Sequence, residues 1–236
     1  HPNYTFLWSF GQYDRKKSKN VRNLLVKKKV LNENQFILPD KVDRETLLLG
    51  HSEDYLSRVQ LKSTLSEIFQ NKMLSKFYIP NFVAHLAYLD PILHHTGGTV
   101  RAGQEALKHG WAINLGGGGH HASYDDGQGF CAVADIAISI KQIRRDNPSI
   151  KNVMIIDLDA HQGNGHERDF IWDPNVYTID FYTHDGDEFY PNDVEVMGAI
   201  NIDEKLKPYT SEDEYLSKLS QAFERSRSEF KPDMIY

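Results

Sequence analysis

The chain has 236 residues, of which 40% are hydrophobic and 25% are charged, and its formal net charge is -6. Length and composition predict a single α/β domain over residues 1–236, and the acidic balance argues against direct nucleic-acid binding. A single cysteine excludes an internal disulfide framework, and no apolar run approaches the ~20 residues of a membrane span. Since no secretory signal is visible, we expect an intracellular protein, cytoplasmic or nuclear; its oligomeric state stays open.

Predicted strands and helices alternate along the chain. Helices are marked by periodic apolar spacing, capping residues and Gly or Pro stops, and strands by short apolar runs. In chain order we predict a strand at 4–10, a helix at 19–31, short helices capped by Asp43 and Ser52, a helix at 98–109 closed by Gly110, a strand at 111–114, a helix at 130–145 stopped by Asn147-Pro148, strands at 153–156, 176–181 and 199–202, a helix at 211–230 and the first part of a strand at 234–236. This order predicts a mostly parallel sheet covered on both faces.

The most informative stretch is Asp157–Gly165, which follows the apolar run Val153–Ile156. It begins at the carboxyl end of a predicted buried strand, where open α/β folds bind their ligands. Alternation along an extended chain points Asp157, Asp159 and His161 to one side. Burying such groups is costly without a metal or a hydrogen-bond network. Either aspartate alone would be an ordinary loop carboxylate, but together with the histidine the pattern indicates a site that suits zinc.

A second informative stretch is the glycine loop, Gly116–Gly119, which precedes His120 and His121. Consecutive glycines allow backbone conformations and close approaches that other residues avoid. Two adjacent histidines then supply groups that titrate near neutral pH. The run is not followed by Lys-Ser or Lys-Thr, so it lacks the pattern of a phosphate-binding P-loop. The similar dipeptide His94-His95 lies inside a predicted helix, and we interpret it as structural.

These segments resemble the zinc-dependent histone deacetylase family, within the arginase/deacetylase superfamily. The matching motifs, in the family's order and separation, are Gly117–Ala122, Gly129–Cys131 and Asp157–Gly165. Similarity to the class IV, histone deacetylase 11-like, branch rests on segments 80–82, 96–99 and 166–170. The resemblance covers nearly the whole chain and implies a three-layer α/β fold with a mostly parallel central sheet. It implies an enzyme that hydrolyses acyl groups, acetyl or longer fatty acyl, from lysine side chains of proteins or peptides.

The resemblance also implies a metal and a proton-transfer group. One zinc ion per chain would be held by Asp159, His161 and a third ligand expected beyond Tyr236. His121 matches the family's general base, which then acts as general acid, and His120 matches the residue that gives it electrostatic support.

Further roles follow from the same resemblance. Asp157 would orient His120, and Asn164 would orient His121. Many class I members have aspartate at the position of Asn164, so His121 should be less basic here.

Substrate contacts are implied as well. Gly129 would offer its backbone carbonyl to the substrate amide, while Phe130 and Tyr190 would wall the acyl-lysine tunnel. Both aromatics could instead be ordinary core residues, and only the motif context favours the tunnel.

A monovalent cation site is implied next to the zinc site, with K⁺ as the candidate ion. Its residues contribute backbone carbonyls as much as side chains, and they are Asp157, Asp159, His161, Asp180 and Phe181.

Two other functions are compatible with parts of the pattern. An arginase-like ureohydrolase shares the fold but holds two manganese ions, and it needs an aspartate two residues after His161, where this chain has Gly163. A non-catalytic protein that binds acyl-lysine would retain the fold without turnover. The presence of Asp159, His161, His120 and His121 argues against that alternative.

The family carries two further groups that this sequence lacks. One is an aspartate zinc ligand in a Tyr-Asn-Ala-Gly-Thr-Asp motif, and the other is the tyrosine of a Gly-Gly-Tyr segment that stabilises the oxyanion. The chain ends at Tyr236, where the first motif should begin, so we expect residues 1–236 alone to be inactive. The preferred acyl length depends on the same missing region.

Overall fold

The structure is a computed structural model that describes Tyr4, residues 16–72, Leu74, and residues 79–186 and 189–236. The predicted strand at 4–10 lies almost entirely outside these residues. The chain divides into two compact units, His1–Ile143 and Arg144–Tyr236. None of the described helices is both long and apolar enough to cross a membrane.

In the part of the first unit that the structure describes, the chain forms helices and connecting loops. Its helices are α1 Lys17–Lys27, α2 Arg44–Leu47, α3 Glu53–Arg58, α4 Lys62–Ile68, α5 Asn81–Ala84 and α6 Asp90–His109, with a 3₁₀ turn at Glu33–Gln35 and a π-helical stretch at His85–Leu89, and α7 Asp135–Asp146 leads into the second unit. The predicted caps are confirmed: Asp43 and Ser52 accept hydrogen bonds from the backbone N–H groups of Thr46 and Tyr55. Gly110 ends α6 in the left-handed conformation, with φ of 88°.

Two sequence predictions in the first unit are wrong. Segment 111–114 forms no strand, and Trp111 and Ile113 are 70% and 72% exposed, so its apolar residues do not mark a buried element. The helix predicted from Phe130 begins only at Asp135, because Gly129 and Phe130 have φ of 54° and 68° and cannot start a helix. The apolar core of this unit includes Tyr55, Leu56, Leu65, Leu74, Tyr88 and Ile138.

The second unit contains a four-stranded parallel sheet in the order β3-β2-β1-β4. Its strands are β1 Val153–Asp157, β2 Val176–Thr183, β3 Ile202–Leu206 and β4 Met234–Ile235, and its helices are α8 Asn164–Phe170 and α9 Glu212–Glu229, with a 3₁₀ turn at Met197–Ala199. The parallel sheet of the prediction is therefore confirmed. The strand predicted at 199–202 is observed at Ile202–Leu206. The prediction missed most of it because its central residues, Asp203–Lys205, are polar and do not form an apolar run.

Register and packing in this unit place the ionisable residues. Asp157 at the end of β1 pairs with Asp180 on β2, so two carboxylates lie side by side. On one face, Ile179, Phe181 and Ile202 join a core that includes residues of α9. Ser211 caps α9 by accepting from the N–H of Glu214, and the helix predicted at 211–230 is observed at Glu212–Glu229.

Candidate active site

The glycine loop of the first unit is held by one buried carboxylate. Asp135, at the start of α7, accepts hydrogen bonds from the backbone N–H of Gly118 to Oδ2 (2.9 Å) and of Gly119 to Oδ1 (2.6 Å). The hydroxyl of Thr99 on α6 also donates to Oδ2. Burial raises the pKa of Asp135, and these hydrogen bonds oppose the rise. The loop is therefore tied to two helices through one side chain.

This arrangement explains why the loop consists of glycines. A Cβ on Gly117, whose φ is 82°, would lie 2.3 Å from Asp135 Oδ2. A Cβ on Gly119 would lie 2.5 Å from the carbonyl oxygen of Val133. Gly118 has φ of 77° but open space around it. Close approach and left-handed backbone thus require glycine at these positions.

His120 and His121 follow this loop as a pair of neighbouring imidazoles. Their ring centroids lie 3.9 Å apart, and both residues are buried. The N–H of His120 donates to the carbonyl of Gly118 at 2.8 Å, and the N–H of Ala122 donates to that of Gly119 at 3.0 Å. The position of the histidine pair therefore depends directly on the glycine loop.

A buried histidine braces the neighbouring loop that carries Gly129 and Phe130. His51 Nε2 accepts from the N–H of Ala134 at 2.9 Å, and its Nδ1 lies 3.2 Å from the carbonyl of Tyr124. Burial lowers the pKa of His51 to about 4, so the ring is neutral and the Nδ1–H is the donor to that carbonyl. Sequence analysis did not single out this histidine.

Gly129 and Phe130 lie at a tight turn of this loop. The N–H of Phe130 donates to the carbonyl of Ile68 at 3.1 Å, and the Phe130 ring lies 6.4 Å from that of Phe69. The Phe130 side chain remains partly exposed, with 36% of its surface accessible. This exposure is compatible with the predicted position in the wall of an acyl-lysine tunnel.

The other histidine dipeptide, His94-His95, makes structural contacts. His95 Nε2 lies 3.1 Å from the carbonyl oxygen of Tyr4.

The second unit brings Asp157, His166, Glu167 and Asp180 together in what we call the acidic cluster. His166 Nε2 lies 2.9 Å from Asp157 Oδ2, and the N–H of Gly163 donates to Asp180 Oδ2 at 2.8 Å. Asp157, His166 and Asp180 each offer a ligand atom within 4.8 Å of the others. A Cβ on Gly163 would lie 2.1 Å from His166 Nε2, so glycine is required there.

The electrostatics of the acidic cluster are unbalanced. Burial and the charge of Asp157 raise the pKa of Asp180 to about 10. Burial also raises the pKa of Glu167, whose carboxyl group lies against that of Asp180. Two carboxylates cannot donate to each other, so this contact requires a shared proton or a cation. The buried atoms Asp180 Oδ1, Glu167 Oε1 and His166 Nδ1 have no hydrogen-bond partner among the described residues.

Asp159 and His161 lie beyond the end of β1, in the loop that leads to α8. Asp159 Oδ1 accepts the N–H of His161 at 2.9 Å and lies 3.1 Å from His161 Nδ1. Both side chains are about half exposed, whereas only 9% of the Asp157 side chain is exposed. Strand alternation does not extend to Asp159 and His161, because β1 ends at Asp157.

The Asp159–His161 pair fits zinc. Tetrahedral zinc with one oxygen and one nitrogen ligand separates the two donor atoms by ~3.4 Å. The observed 3.1 Å between Asp159 Oδ1 and His161 Nδ1 is close to that separation. The carboxylate and imidazole are also the ligand types that zinc takes in catalytic sites. Tyr190 lies beside this pair, with its ring 5.6 Å from that of His161.

Asn164 is engaged by an acid that sequence analysis missed. Its Nδ2 donates to Asp193 Oδ2 at 3.2 Å, and Arg168 donates to the same oxygen at 2.6 Å. A carboxylate only accepts, so this contact fixes which end of the amide is nitrogen and leaves Oδ1 as the acceptor. That orientation suits a residue that accepts from an imidazole N–H.

The side chain of Phe181 is buried in the core of the second unit, so only its backbone is available to a cation.

Comparisons with known proteins identify the class. The histone deacetylase domain family matches residues 12–236. Histone deacetylase 2 of Arabidopsis thaliana is 38% identical over 227 residues, which are 94% of this chain and 56% of that protein. The chain therefore belongs to the histone deacetylase domain family, and it spans about half the length of that curated relative.

Solved structures agree with this assignment. A crystal structure of an HDAC homolog from Aquifex aeolicus matches with a TM-score of 0.68 and 26% identity, over 93% of this chain and 59% of that one. The HDA15 HD domain matches with a TM-score of 0.74 over 100% of this chain and 69% of that one, and at 18% identity it supports the fold alone. The α/β fold with a parallel sheet is thus the fold of the histone deacetylases.

Proposed function

We propose that this chain carries most of the active site of a zinc-dependent lysine deacylase, of the class IV branch. The observation that carries the proposal is the Asp159–His161 pair, whose donor atoms lie 3.1 Å apart at the carboxyl end of a buried strand. The adjacent imidazoles of His120 and His121 support it, because amide hydrolysis also needs proton transfer. The proposed substrates are acyl-lysine side chains of cytoplasmic or nuclear proteins.

Each residue would have a distinct part in the reaction. Asp159 and His161 would hold one zinc ion, which supplies Lewis acidity toward the amide carbonyl and the attacking water. His121 would take a proton from that water as oxygen bonds to the carbonyl carbon. It would return the proton to the lysine nitrogen as the carbon–nitrogen bond breaks. His120 would stabilise the developing charge nearby.

The remaining proposed residues orient or contact these groups. Asp157 would orient His120, and Asn164, with its amide fixed by Asp193, would accept from His121. The Gly129 carbonyl would receive the substrate amide N–H. The exposed faces of Phe130 and Tyr190 would line the path of the acyl-lysine chain.

A monovalent cation, K⁺, would occupy the acidic cluster beside the zinc pair. Asp157 and Asp180 would contribute carboxylate oxygens, and the backbone around Asp159, His161 and Phe181 would contribute carbonyls. The buried contact between the Asp180 and Glu167 carboxyl groups supports this proposal, because a cation would compensate these carboxylates at a point that no donor among the described residues reaches.

The ureohydrolase alternative is not favoured by the local geometry. A dinuclear site needs a carboxylate at position 163, where Gly163 instead donates its N–H to Asp180. Its Cβ space is taken by His166 and Asp157. We therefore propose a single zinc ion per chain.

The test measures hydrolysis of acetyl- and fatty-acyl-lysine peptides by the full-length protein and, for comparison, by residues 1–236 alone. Arginine is assayed as an alternative substrate. We expect turnover of the peptides, its loss on chelation, and its return with one equivalent of zinc. Turnover that a chelator does not affect, or urea release from arginine with two manganese ions, would contradict the proposal.

A further inference from the structure

The buried side chain of Asp135 lies outside the proposed chemistry, yet it organises the loop that precedes the histidine pair. Its two carboxylate oxygens receive the N–H groups of Gly118 and Gly119. Behind it, Asn114 donates to the hydroxyl of Thr99 at 2.9 Å, and that hydroxyl donates to Asp135. Asn114 Oδ1 in turn accepts from the N–H of Gly116 at 3.2 Å. Loop, helix α6 and helix α7 thus share one polar network.

We propose that Asp135 is a positioning residue for the histidine pair, which it sets through the glycine loop. This inference rests on the proposed catalytic roles of His120 and His121. The route is short: Gly118 and Gly119 bond to Asp135, and their own carbonyls accept from the N–H groups of His120 and Ala122. Any shift of the loop therefore moves the backbone that bears both imidazoles.

A carboxylate is needed for this task because both of its oxygen atoms accept. Asparagine has nearly the same shape but one acceptor, so its amide NH₂ would face a backbone N–H or the hydroxyl of Thr99. A donor facing a donor in a buried site is costly, and the loop would move to relieve it. Asp135 also lies in the first turn of α7, where the helix dipole favours the ionised form of a carboxyl group.

Misplacement of catalytic groups lowers turnover more than it lowers binding. A shift of ~1 Å in a reacting group can reduce the rate ~100-fold. Asp135→Asn leaves both proposed zinc ligands, Asp159 and His161, in place, so we expect the zinc content to be unchanged. The signature of a positioning role is therefore a lower kcat with unchanged KM and unchanged zinc content.

The experiment compares Asp135→Asn with Glu105→Gln in the full-length protein. Glu105 is a matched control, since it is a buried acid of the same unit that pairs with Arg101, Lys108 and His109 on its own helix. Three quantities are measured: kcat and KM on an acyl-lysine peptide over a range of pH, zinc content, and amide hydrogen exchange at Gly118 and Gly119.

For Asp135→Asn we expect kcat to fall ~10- to 100-fold with KM and zinc content unchanged. We expect exchange at Gly118 and Gly119 to become faster. Glu105→Gln should behave as the wild type in all three measurements. Unchanged exchange in Asp135→Asn, or faster exchange with unchanged kcat, would overturn the inference.

Two further outcomes are covered. If the wild type hydrolyses no acyl-lysine peptide, the proposed function fails, and exchange at the two glycine amides still decides whether Asp135 holds the loop. If Asp135→Asn does not fold, Thr99→Val removes one partner of Asp135 while it keeps the carboxylate. That variant should show the same changes at smaller size, and wild-type exchange and kcat in it would overturn the inference.

Discussion

The buried carboxyl groups of the two units differ in the hydrogen-bond donors that surround them. In the first unit, Asp135 is surrounded by donors: two backbone N–H groups and one hydroxyl. In the second unit, Asp180 receives the N–H of Gly163 on one oxygen, its carboxyl group lies against that of Glu167, and no donor among the described residues reaches its other oxygen. The first acid is compensated by the chain itself, whereas the second calls for a proton or a cation.

The difference shows what kind of site each region is. The polar network around Asp135 is complete as folded, and it can hold the histidine pair in place without any ligand. The acidic cluster accumulates carboxylates to the point that the pKa of Asp180 rises to about 10. Such a cluster is stabilised when a cation binds, so we expect the stability of the second unit to depend on its ionic environment.

Acid should lower the stability of the first unit through protonation of His51. Its pKa is lowered from 6.5 to about 4, so between these pH values the unfolded chain binds a proton that the folded chain does not. The free energy of unfolding should therefore fall by ~3 kcal/mol through this residue as pH drops from 6.5 to about 4. Above pH 6.5, His51 should add no pH dependence to the free energy of unfolding.

His51→Gln should flatten that dependence, because an amide can keep both hydrogen bonds and does not titrate. The measurement is denaturant unfolding from pH 4 to pH 8, with the exposed His109→Gln as control. A wild-type slope in His51→Gln would show that the slope has another origin.

Two alanine substitutions in the glycine loop should destabilise the protein to different extents. Gly117→Ala adds a Cβ 2.3 Å from Asp135 Oδ2 at a left-handed φ, so we expect a loss of about 2–4 kcal/mol from overpacking and strain together. Gly118→Ala meets only the strain of its φ of 77°, and it should cost about 1 kcal/mol. Thermal unfolding of the two variants checks the order, and equal losses would mean that the network around Asp135 does not constrain the loop.

The acidic cluster should respond to K⁺. At ten times its dissociation constant a cation adds ~1.4 kcal/mol of stability, so KCl should raise the melting temperature above that in choline chloride. Asp180→Asn should remove most of this difference. Asp203→Asn is the matched control, since Asp203 pairs with Asp180 in the sheet but is exposed and bound to Lys205. An equal response to K⁺ in wild type and Asp180→Asn would exclude the cluster as the cation site.

Sequence predicted local features well. The caps at Asp43 and Ser52 depend on residues three positions away, and both are confirmed. The parallel sheet followed from apolar runs separated by helices. The grouping of Asp159 with His161 was visible because the two lie two residues apart.

Long-range contacts were not visible in the same way. The pairing of Asp157 with Asp180 depends on strand register, and His166 joins them only because Gly163 leaves room for its ring. Asp135 was hidden inside a predicted helix, since its task depends on a loop 16 and 17 residues away. Segment 111–114 was misjudged because apolar residues there are exposed, which composition alone does not reveal.

The most direct test of the account is zinc content measured beside deacylase activity in Asp159→Ala and His121→Ala of the full-length protein. We predict that His121→Ala keeps one zinc ion and loses ~10²- to 10⁴-fold in turnover, because it removes proton transfer and no ligand. Asp159→Ala should lose both zinc and activity. Equal zinc loss in the two variants would contradict the division of the site into a metal pair and a proton-transfer pair.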